Sequence, residues 1–322
     1  MPLEINTPAC LPLGLARFNG QTHALGLALQ HPPINLKALP AAALDVSGAC
    51  FPLARAAAEK VLAQKLAPPG ELEIELAIPL LMGLGGEPLL ALSAAHALSE
   101  LNQMKTAAAT LAQWLGLEAL AALETAVFTG GGLVQVNLSA PISSGAQRRA
   151  PIQHEDKYAW AVVLYLPRPA TQHTDEWEAE RRAALVNAAP HLNPATAALV
   201  EHQLWPAVQQ NNFSAFTSAV AELHGYNSAA LQAAGAPLTP TPEAQTALEV
   251  IKAEGVTAYG QCLTGLGVYA FVQGAEASQI LRKKLMARLG YEAGTIMAAI
   301  TDNAGCVARY TNPNVPPIYQ FS

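Results

Sequence analysis

The stretch Ile78-Pro79-Leu80-Leu81-Met82-Gly83-Leu84-Gly85-Gly86-Glu87-Pro88 joins a predicted strand to a predicted helix. Before it, apolar residues alternate over positions 71–78, which is typical of a half-buried strand. After it, apolar residues recur at helical spacing over positions 89–104, and Pro88 suits the first turn of a helix. Such a glycine-rich turn can bind an anion, because glycine lets a phosphate approach the unpaired backbone N–H groups at the helix start.

Glu87 leaves more than one interpretation of this turn open. A carboxylate beside a phosphate is unfavourable at short range unless a cation lies between them. The turn is therefore either a phosphate site in which Glu87 binds a metal ion, or a former phosphate site in which Glu87 interacts with the start of the helix. On this motif alone, a plain structural turn explains the glycines equally well.

Composition excludes several classes of protein. The chain has 322 residues, of which 51% are apolar, enough for one large domain or two of ordinary size. A net charge of −6, with no basic cluster larger than Arg282-Lys283-Lys284, argues against a nucleic-acid partner. No apolar run could span a membrane, and the N-terminus has no basic start followed by an apolar signal region. We therefore expect a cytoplasmic protein without a membrane partner. The four cysteines form no CxxC pair, which argues against a structural zinc site.

The order of predicted elements is that of an α+β protein. Strands are predicted at residues 25–29, 34–39, 71–78, 133–138, 159–166, 256–260, 267–272 and 294–301. Helices are predicted at residues 53–65, 89–104, 107–122, 175–187, 194–210, 213–224, 242–254 and 275–289. Residues 141–157 are polar and contain Ser143-Ser144-Gly145, so we expect a surface loop there.

Two further turns are candidates for a site. Residues 17–23 form a polar segment that ends in His23, and residues 260–267 contain three glycines and Thr264. Each segment is equally well explained as an ordinary connection between strands. No G-x-S-x-G, H-E-x-x-H, complete P-loop or dinucleotide motif occurs, and the eight histidines show no metal-ligand spacing.

The order of these turns resembles that of the GHMP kinase superfamily. Pro79-x-x-x-Gly83-Leu84-Gly85 resembles its central phosphate loop, and Leu263-Thr264-Gly265-Leu266-Gly267 resembles its C-terminal loop. The resemblance implies a two-domain α+β fold. The N-terminal domain, residues 1–166, would be similar to ribosomal protein S5, and the C-terminal domain, residues 167–322, would be ferredoxin-like.

Within the superfamily, the chain resembles the β-ribofuranosylaminobenzene 5′-phosphate synthases of methanopterin biosynthesis. The similar stretches are distributed along nearly the whole chain. They are residues 25–29, 83–85, 160–167, 260–261 and 269–272. The family reaction transfers a phosphoribosyl group from phosphoribosyl pyrophosphate to 4-aminobenzoate, with loss of pyrophosphate and carbon dioxide. The resemblance therefore implies these two kinds of substrate, a Mg²⁺ cofactor and a homodimer.

The resemblance also implies roles for particular residues. Phosphate would be bound by Gly83, Gly85, Gly86 and Gly265. Glu87 departs from the family motif, and it would bind a metal ion if the turn still binds a diphosphate. Arg17 would bind an anionic group, Asn19 and His23 would orient the substrate, and Gln261 and Thr264 would line the cleft. The chain departs from the family where Ser-Gly-Thr-Gln is replaced by Gly86-Glu87-Pro88-Leu89, and where Ser-Ser-Trp-Gly-Pro is replaced by residues 262–266. Two alternatives therefore stay open: a non-catalytic paralogue that binds a pterin-pathway ligand or partner, and a small-molecule kinase.

Overall fold

The structure is a computed structural model that describes residues 1–64, 69–117, 119–152, 159–170, 173–290 and 292–311. The strands of the described residues are β1 (Leu3–Phe18), β2 (Gln21–Pro40), β3 (Asp45–Gly48), β4 (Gly70–Leu76), β5 (Leu133–Asn137), β6 (Arg148–Ala150), β7 (Trp160–Pro167), β8 (Tyr259–Gln261), β9 (Val268–Gln273), β10 (Gly294–Ile300) and β11 (Val307–Tyr310). The helices are α1 (Phe51–Leu62), α2 (Gly86–Leu101), α3 (Ala108–Leu115), α4 (Ala122–Gly130), α5 (Asp175–Asn187), α6 (Ala195–Leu199), α7 (Trp205–Gln209), α8 (Phe213–Ala233), α9 (Pro242–Ala253) and α10 (Ala275–Leu289). A π-helical turn at Val200–Leu204 joins α6 to α7.

The first sheet is built on the long hairpin of β1 and β2. Its order is β11-β1-β2-β4-β3, and β5 also pairs with β2 and carries β6. The register of β1 on β2 shifts at Pro8 and again after Pro12, because proline cannot donate a ladder hydrogen bond. Helix α2 packs in this part of the core, and most of its residues are buried on all sides.

The second sheet has the antiparallel order β10-β7-β9-β8. Residues Ala161, Val163 and Tyr165 of β7 pack with α9 and α10, whereas Val162, Leu164 and Leu166 face the main core of the protein. Both faces of β7 are therefore buried, which explains why its sequence is continuously apolar. The order β7-α9-β8-β9-α10-β10 is the β-α-β-β-α-β pattern of a ferredoxin-like unit, with α5 to α8 inserted after its first strand.

Most of the predicted elements are confirmed, and some predictions were wrong. The helices predicted at 175–187 and 275–289 have the predicted bounds. The strands predicted at 25–29 and 34–39 are two parts of β2, and neither β1 nor β11 was predicted. The helix predicted at 107–122 ends at Leu115, and α4 was not foreseen.

The division into residues 1–166 and 167–322 stays a prediction. Strands of both sheets cross this boundary in the sequence. Strand β7 of the second sheet lies almost entirely before residue 167, and β11, near the end of the chain, pairs with β1 of the first sheet. Part of the loop predicted at 141–157 lies outside the described residues, and β6 occupies another part. None of the helices in the described residues combines the length and the apolarity needed to cross a membrane.

Candidate functional site

The glycine turn connects β4 to α2 and is buried. The backbone N–H of Cys10 donates to the carbonyl of Leu84 over 3.0 Å, which fixes the turn on β1. Gly85 has φ 73°, and a Cβ on it would lie 2.8 Å from Cγ of Glu124, so both conformation and space require glycine there. Helix α2 begins at Gly86, three residues before the predicted start at 89, and ends at Leu101 rather than 104.

A second turn, between β8 and β9, packs directly on the glycine turn. Leu266 donates its N–H to the carbonyl of Leu81 over 2.8 Å. A Cβ on Gly83 would lie 2.8 Å from the nitrogen of Gly265 and 2.9 Å from Cβ of Cys262. The structure therefore brings together the two turns that the sequence singled out. It leaves no space for a phosphate between Gly83 and Gly265.

Gln261 and Thr264 lie in this second turn. Gln261 donates from Nε2 to the carbonyl of Gly265 over 3.0 Å, and its buried Oε1 has no partner among the described residues. Thr264 is buried and lines a small cavity of about 10 Å³ together with Glu124. A volume of this size holds about one water molecule.

Helix α5 brings a charged pair to the same place. Oε2 of Glu178 accepts the backbone N–H of Leu81 over 2.8 Å, and Nη2 of Arg182 lies 3.3 Å from Oε1 of Glu124. Burial raises the pKa of Glu178, while the carboxylate of Glu124 raises the pKa of Arg182. Oε2 of Glu124 is buried and has no hydrogen-bond partner in the described part of the chain.

A larger cavity of about 370 Å³ lies beside the start of α2. Its charged lining residues are Lys60, Glu87 and Arg182, and two of its lining residues, Glu87 and Pro88, belong to the first turn of α2. Most of the remaining wall is apolar and includes Leu53, Ala57, Ala91, Leu117, Leu120 and Val186. This volume lies within the ordinary range for small-molecule sites.

The carboxylates near the turn allow a direct test of the Mg²⁺ expectation. In the described residues, no group of three or more His, Cys, Asp and Glu side chains could hold a metal ion. Magnesium that arrives with a diphosphate needs only one or two protein carboxylates, and the unpartnered oxygen of Glu124 can provide one. Glu124 lines the small cavity and Glu87 the large one, and the role of Glu87 as a metal ligand stays a prediction.

Arg17, Asn19 and His23 lie elsewhere, at the tip of the β1–β2 hairpin. Arg17 and Asn19 have exposed side chains, and the N–H of Arg17 donates to Oγ1 of Thr196 over 3.2 Å. His23 is buried with its Nδ1 3.0 Å from Nε2 of Gln135, and burial lowers its pKa. None of the three lines the large or the small cavity.

Several solved structures with this arrangement of elements match almost the whole chain. Mevalonate diphosphate decarboxylase from Enterococcus faecalis matches with a TM-score of 0.65 and 15% identity, over 97% of this chain and 99% of that one. Homoserine kinase from Cytophaga hutchinsonii matches with a TM-score of 0.62 and 12% identity, over 96% and 97% of the two chains. A 4-(cytidine 5′-diphospho)-2C-methyl-D-erythritol kinase matches with a TM-score of 0.58 and 18% identity, over 92% and 98%.

The chain has the fold of the GHMP kinase superfamily. This confirms the fold class that the order of turns implied. At these identities the likeness establishes the GHMP fold alone, and it does not single out the methanopterin enzymes among the superfamily. No protein-family model matches the chain, and no curated protein matches it in sequence.

Three charged residues of this candidate site were missed by sequence reasoning. Glu178 and Arg182 lie four positions apart on a helix that the sequence predicts, a spacing that places them on one face. Glu124 is a lone carboxylate in the apolar run Leu120–Phe128, and a carboxylate in such a run is usually buried with a partner. These two signals were available, although neither identifies the partner residue.

Proposed function

We propose that this chain binds a phosphorylated sugar and an aromatic acid, as a divergent relative of the β-ribofuranosylaminobenzene 5′-phosphate synthases. In that reaction, phosphoribosyl pyrophosphate loses pyrophosphate at its anomeric carbon. The ring carbon of a 4-aminobenzoate-like acid forms the new bond, and carbon dioxide leaves. The GHMP fold and the order of its motifs support this class of enzyme.

The chemistry of the 370 Å³ cavity is the observation that carries the proposal. An aromatic ring would pack on its leucine and alanine side chains. An anionic group would pair with Lys60 on the cavity wall. Glu124, which lines the small cavity rather than the large one, would hold Mg²⁺ through its unpartnered oxygen, and a metal ion there would supply positive charge to a diphosphate.

The buried glycine turn favours a second candidate, a non-catalytic protein with the same fold. Gly83 is packed against Gly265, and the N–H of Leu81 is already bonded to Glu178. A phosphate cannot occupy these positions without movement of the chain. A protein that binds an aromatic ligand in the large cavity would need no such movement. A small-molecule kinase is the third candidate, because solved structures that share the fold include kinases.

Ligand-induced stabilisation of the full chain separates these candidates. The panel comprises phosphoribosyl pyrophosphate, pyrophosphate, ATP, 4-aminobenzoate and a reduced pterin, each with and without Mg²⁺. A ligand present at a hundred times its Kd stabilises the folded state by about 2.7 kcal/mol. For a synthase we expect Mg²⁺-dependent stabilisation by phosphoribosyl pyrophosphate, together with release of labelled carbon dioxide from carboxyl-labelled 4-aminobenzoate. Stabilisation by the acid or the pterin alone, without carbon dioxide release, identifies the non-catalytic protein, and stabilisation by ATP alone identifies a kinase.

A matched pair of lysine variants tests the cavity itself. Lys60→Met removes a cation from the cavity wall, whereas Lys252→Met removes an exposed cation from α9. We expect the first variant to weaken binding of the anionic ligand and the second to leave it unchanged. Equal binding by both variants would place the ligand outside the cavity. A cytoplasmic homodimer is part of the same proposal, and small-angle scattering gives the mass that tests the dimer.

A further inference from the structure

We infer that α5 is a built-in cover of the glycine turn, in which Glu178 occupies the position of an anion and Arg182 that of a cation. A diphosphate then reaches the turn only when α5 moves away. The inference rests on the proposed function in one respect, since it takes a diphosphate-bearing substrate as the ligand of this turn.

Glu178 supplies the first part of the evidence. A backbone N–H in a glycine-rich turn before a helix is the group that normally donates to a phosphate oxygen. Here Leu81, which has φ 68°, points its N–H at the carboxylate of Glu178 over 2.8 Å. Glu178 is only 7% exposed, so this contact excludes water as well as ligand. The carboxylate therefore satisfies the turn in the way that a bound anion would.

Arg182 supplies the second part. Its guanidinium lies 3.3 Å from the buried carboxylate of Glu124, whose other oxygen is left without a partner in the described residues. The guanidinium therefore occupies a position, beside a buried carboxylate near the glycine turn, that a metal ion bound to a diphosphate would need. Glu178 and Arg182 are one helical turn apart, so one movement of α5 withdraws both charges.

Helix α5 is attached mainly through polar and charged side chains rather than through buried apolar ones. Among its described side chains, only Glu178 and Leu185 are buried. Its other face is held by Arg181, which donates from Nη1 to the carbonyls of Ala236 and Pro237 over 3.1 and 3.2 Å. Segments with few buried apolar contacts are those that open locally without unfolding the rest of a protein. The polar contacts of α5 thus both hold it and occupy the turn.

Pyrophosphate binding by the full chain tests the inference through two substitutions at one position. Glu178→Gln keeps an oxygen that can accept the N–H of Leu81 but removes the charge that repels an anion. Glu178→Ala removes the charge and also leaves the backbone N–H of Leu81 without its acceptor. Glu180→Gln, an exposed carboxylate on the same helix, is the matched control. By calorimetry with Mg²⁺, we expect at least tenfold tighter pyrophosphate binding for Glu178→Gln, and tighter still for Glu178→Ala. Glu180→Gln should bind like the unmodified chain.

Hydrogen exchange at the amide of Leu81 provides a readout that needs no ligand. We expect Glu178→Ala to speed this exchange at least tenfold, and Glu180→Gln to leave it unchanged. If all variants bind pyrophosphate as the unmodified chain does, the inference is overturned and the proposed function stands. If none binds although the amide of Leu81 has been released, both the inference and the diphosphate-binding part of the proposed function are overturned.

Discussion

Gly83 and Gly265 contact each other through their backbones, although one lies between β4 and α2 and the other between two strands of the second sheet. A Cβ on Gly265 would overlap the nitrogen of Gly83. The hydrogen bond from Leu266 to Leu81 runs beside this contact. The absence of two side chains therefore fixes how closely the two turns approach, and with it the shape of the candidate site.

We expect Gly265→Ala to lower the free energy of unfolding by about 1–3 kcal/mol, as overpacking of a close contact does. Urea unfolding followed by circular dichroism measures the change. Gly225→Ala is the matched control, because Gly225 lies within α8 and has no atom within 4 Å of its added Cβ. There we expect a gain of about 0.5–1 kcal/mol from the preference of helices for alanine. An unchanged or increased free energy of unfolding in Gly265→Ala would contradict the tight contact.

The pair of Arg182 and Glu124 gives a second prediction. Arg182→Met leaves a buried carboxylate without its cation, so we expect the free energy of unfolding to fall by about 3–5 kcal/mol. Adding Glu124→Gln should restore part of this loss, because the uncompensated charge is then gone. A double-mutant cycle at equilibrium in urea measures the coupling. Lys37→Met, which breaks the exposed pair with Glu75, should cost less than about 1 kcal/mol.

The sequence predicted the parts of the fold that follow from local periodicity. The helices predicted at 175–187 and 275–289 have these bounds in the structure, where Thr174 caps the first and Gly274 and Gly290 flank the second. Strand β1 escaped prediction because Pro8, Pro12 and Gly14 interrupt its pattern, and the shifts of register that accommodate them depend on the partner strand. Strand β11 is four residues long and exists through its pairing with β1, more than three hundred positions away in sequence.

At the candidate site, too, local features could be predicted from the sequence and contacts between distant residues could not. The two glycine turns could be found in the sequence because glycine is required locally, at Gly85 by its positive φ. Their contact with α5 could not be found, because the partners Leu81 and Glu178 are 97 positions apart and are joined by a backbone N–H that any residue possesses. The role of His23 in orienting a substrate stays a prediction, and the packing of its hairpin tip could not be foreseen for a similar reason. Which end of a long hairpin faces a ligand depends on how the sheets pack.

Gln135 gives a third prediction, since its amide links two buried rings. Nε1 of Trp205 donates to its Oε1 over 2.8 Å, and its Nε2 lies 3.0 Å from Nδ1 of His23. Gln135→Leu leaves both ring nitrogens without this partner, so we expect a loss of stability of about 1–3 kcal/mol for each group left unpaired. Urea unfolding followed by tryptophan fluorescence measures it. Gln245→Leu, at an exposed position on α9, should change stability by less than about 0.5 kcal/mol.

The last prediction concerns pH and His224. Nδ1 of His224 lies 3.2 Å from the hydroxyl of the buried Tyr269, and burial lowers the pKa of His224 to about 4. An unfolded histidine has a pKa near 6.5, so below this pH the unfolded chain binds a proton that the folded chain resists. The stabilisation is complete above about pH 6.5 and is lost as the pH falls from there towards 4.

Each pKa unit between the two states corresponds to about 1.4 kcal/mol. Burial also lowers the pKa of His23 and His96, which adds to the loss in the same direction. The raised pKa of Glu178 acts oppositely, because its contribution is present at low pH and is lost as the pH rises through its folded-state value.

Urea unfolding at pH 7, 6, 5 and 4 should therefore give a falling free energy of unfolding. In His224→Gln the slope between pH 6.5 and 4 should flatten, whereas in His202→Gln, at an exposed position, it should stay. Equal slopes in His224→Gln and His202→Gln would exclude His224 as the source of the pH dependence.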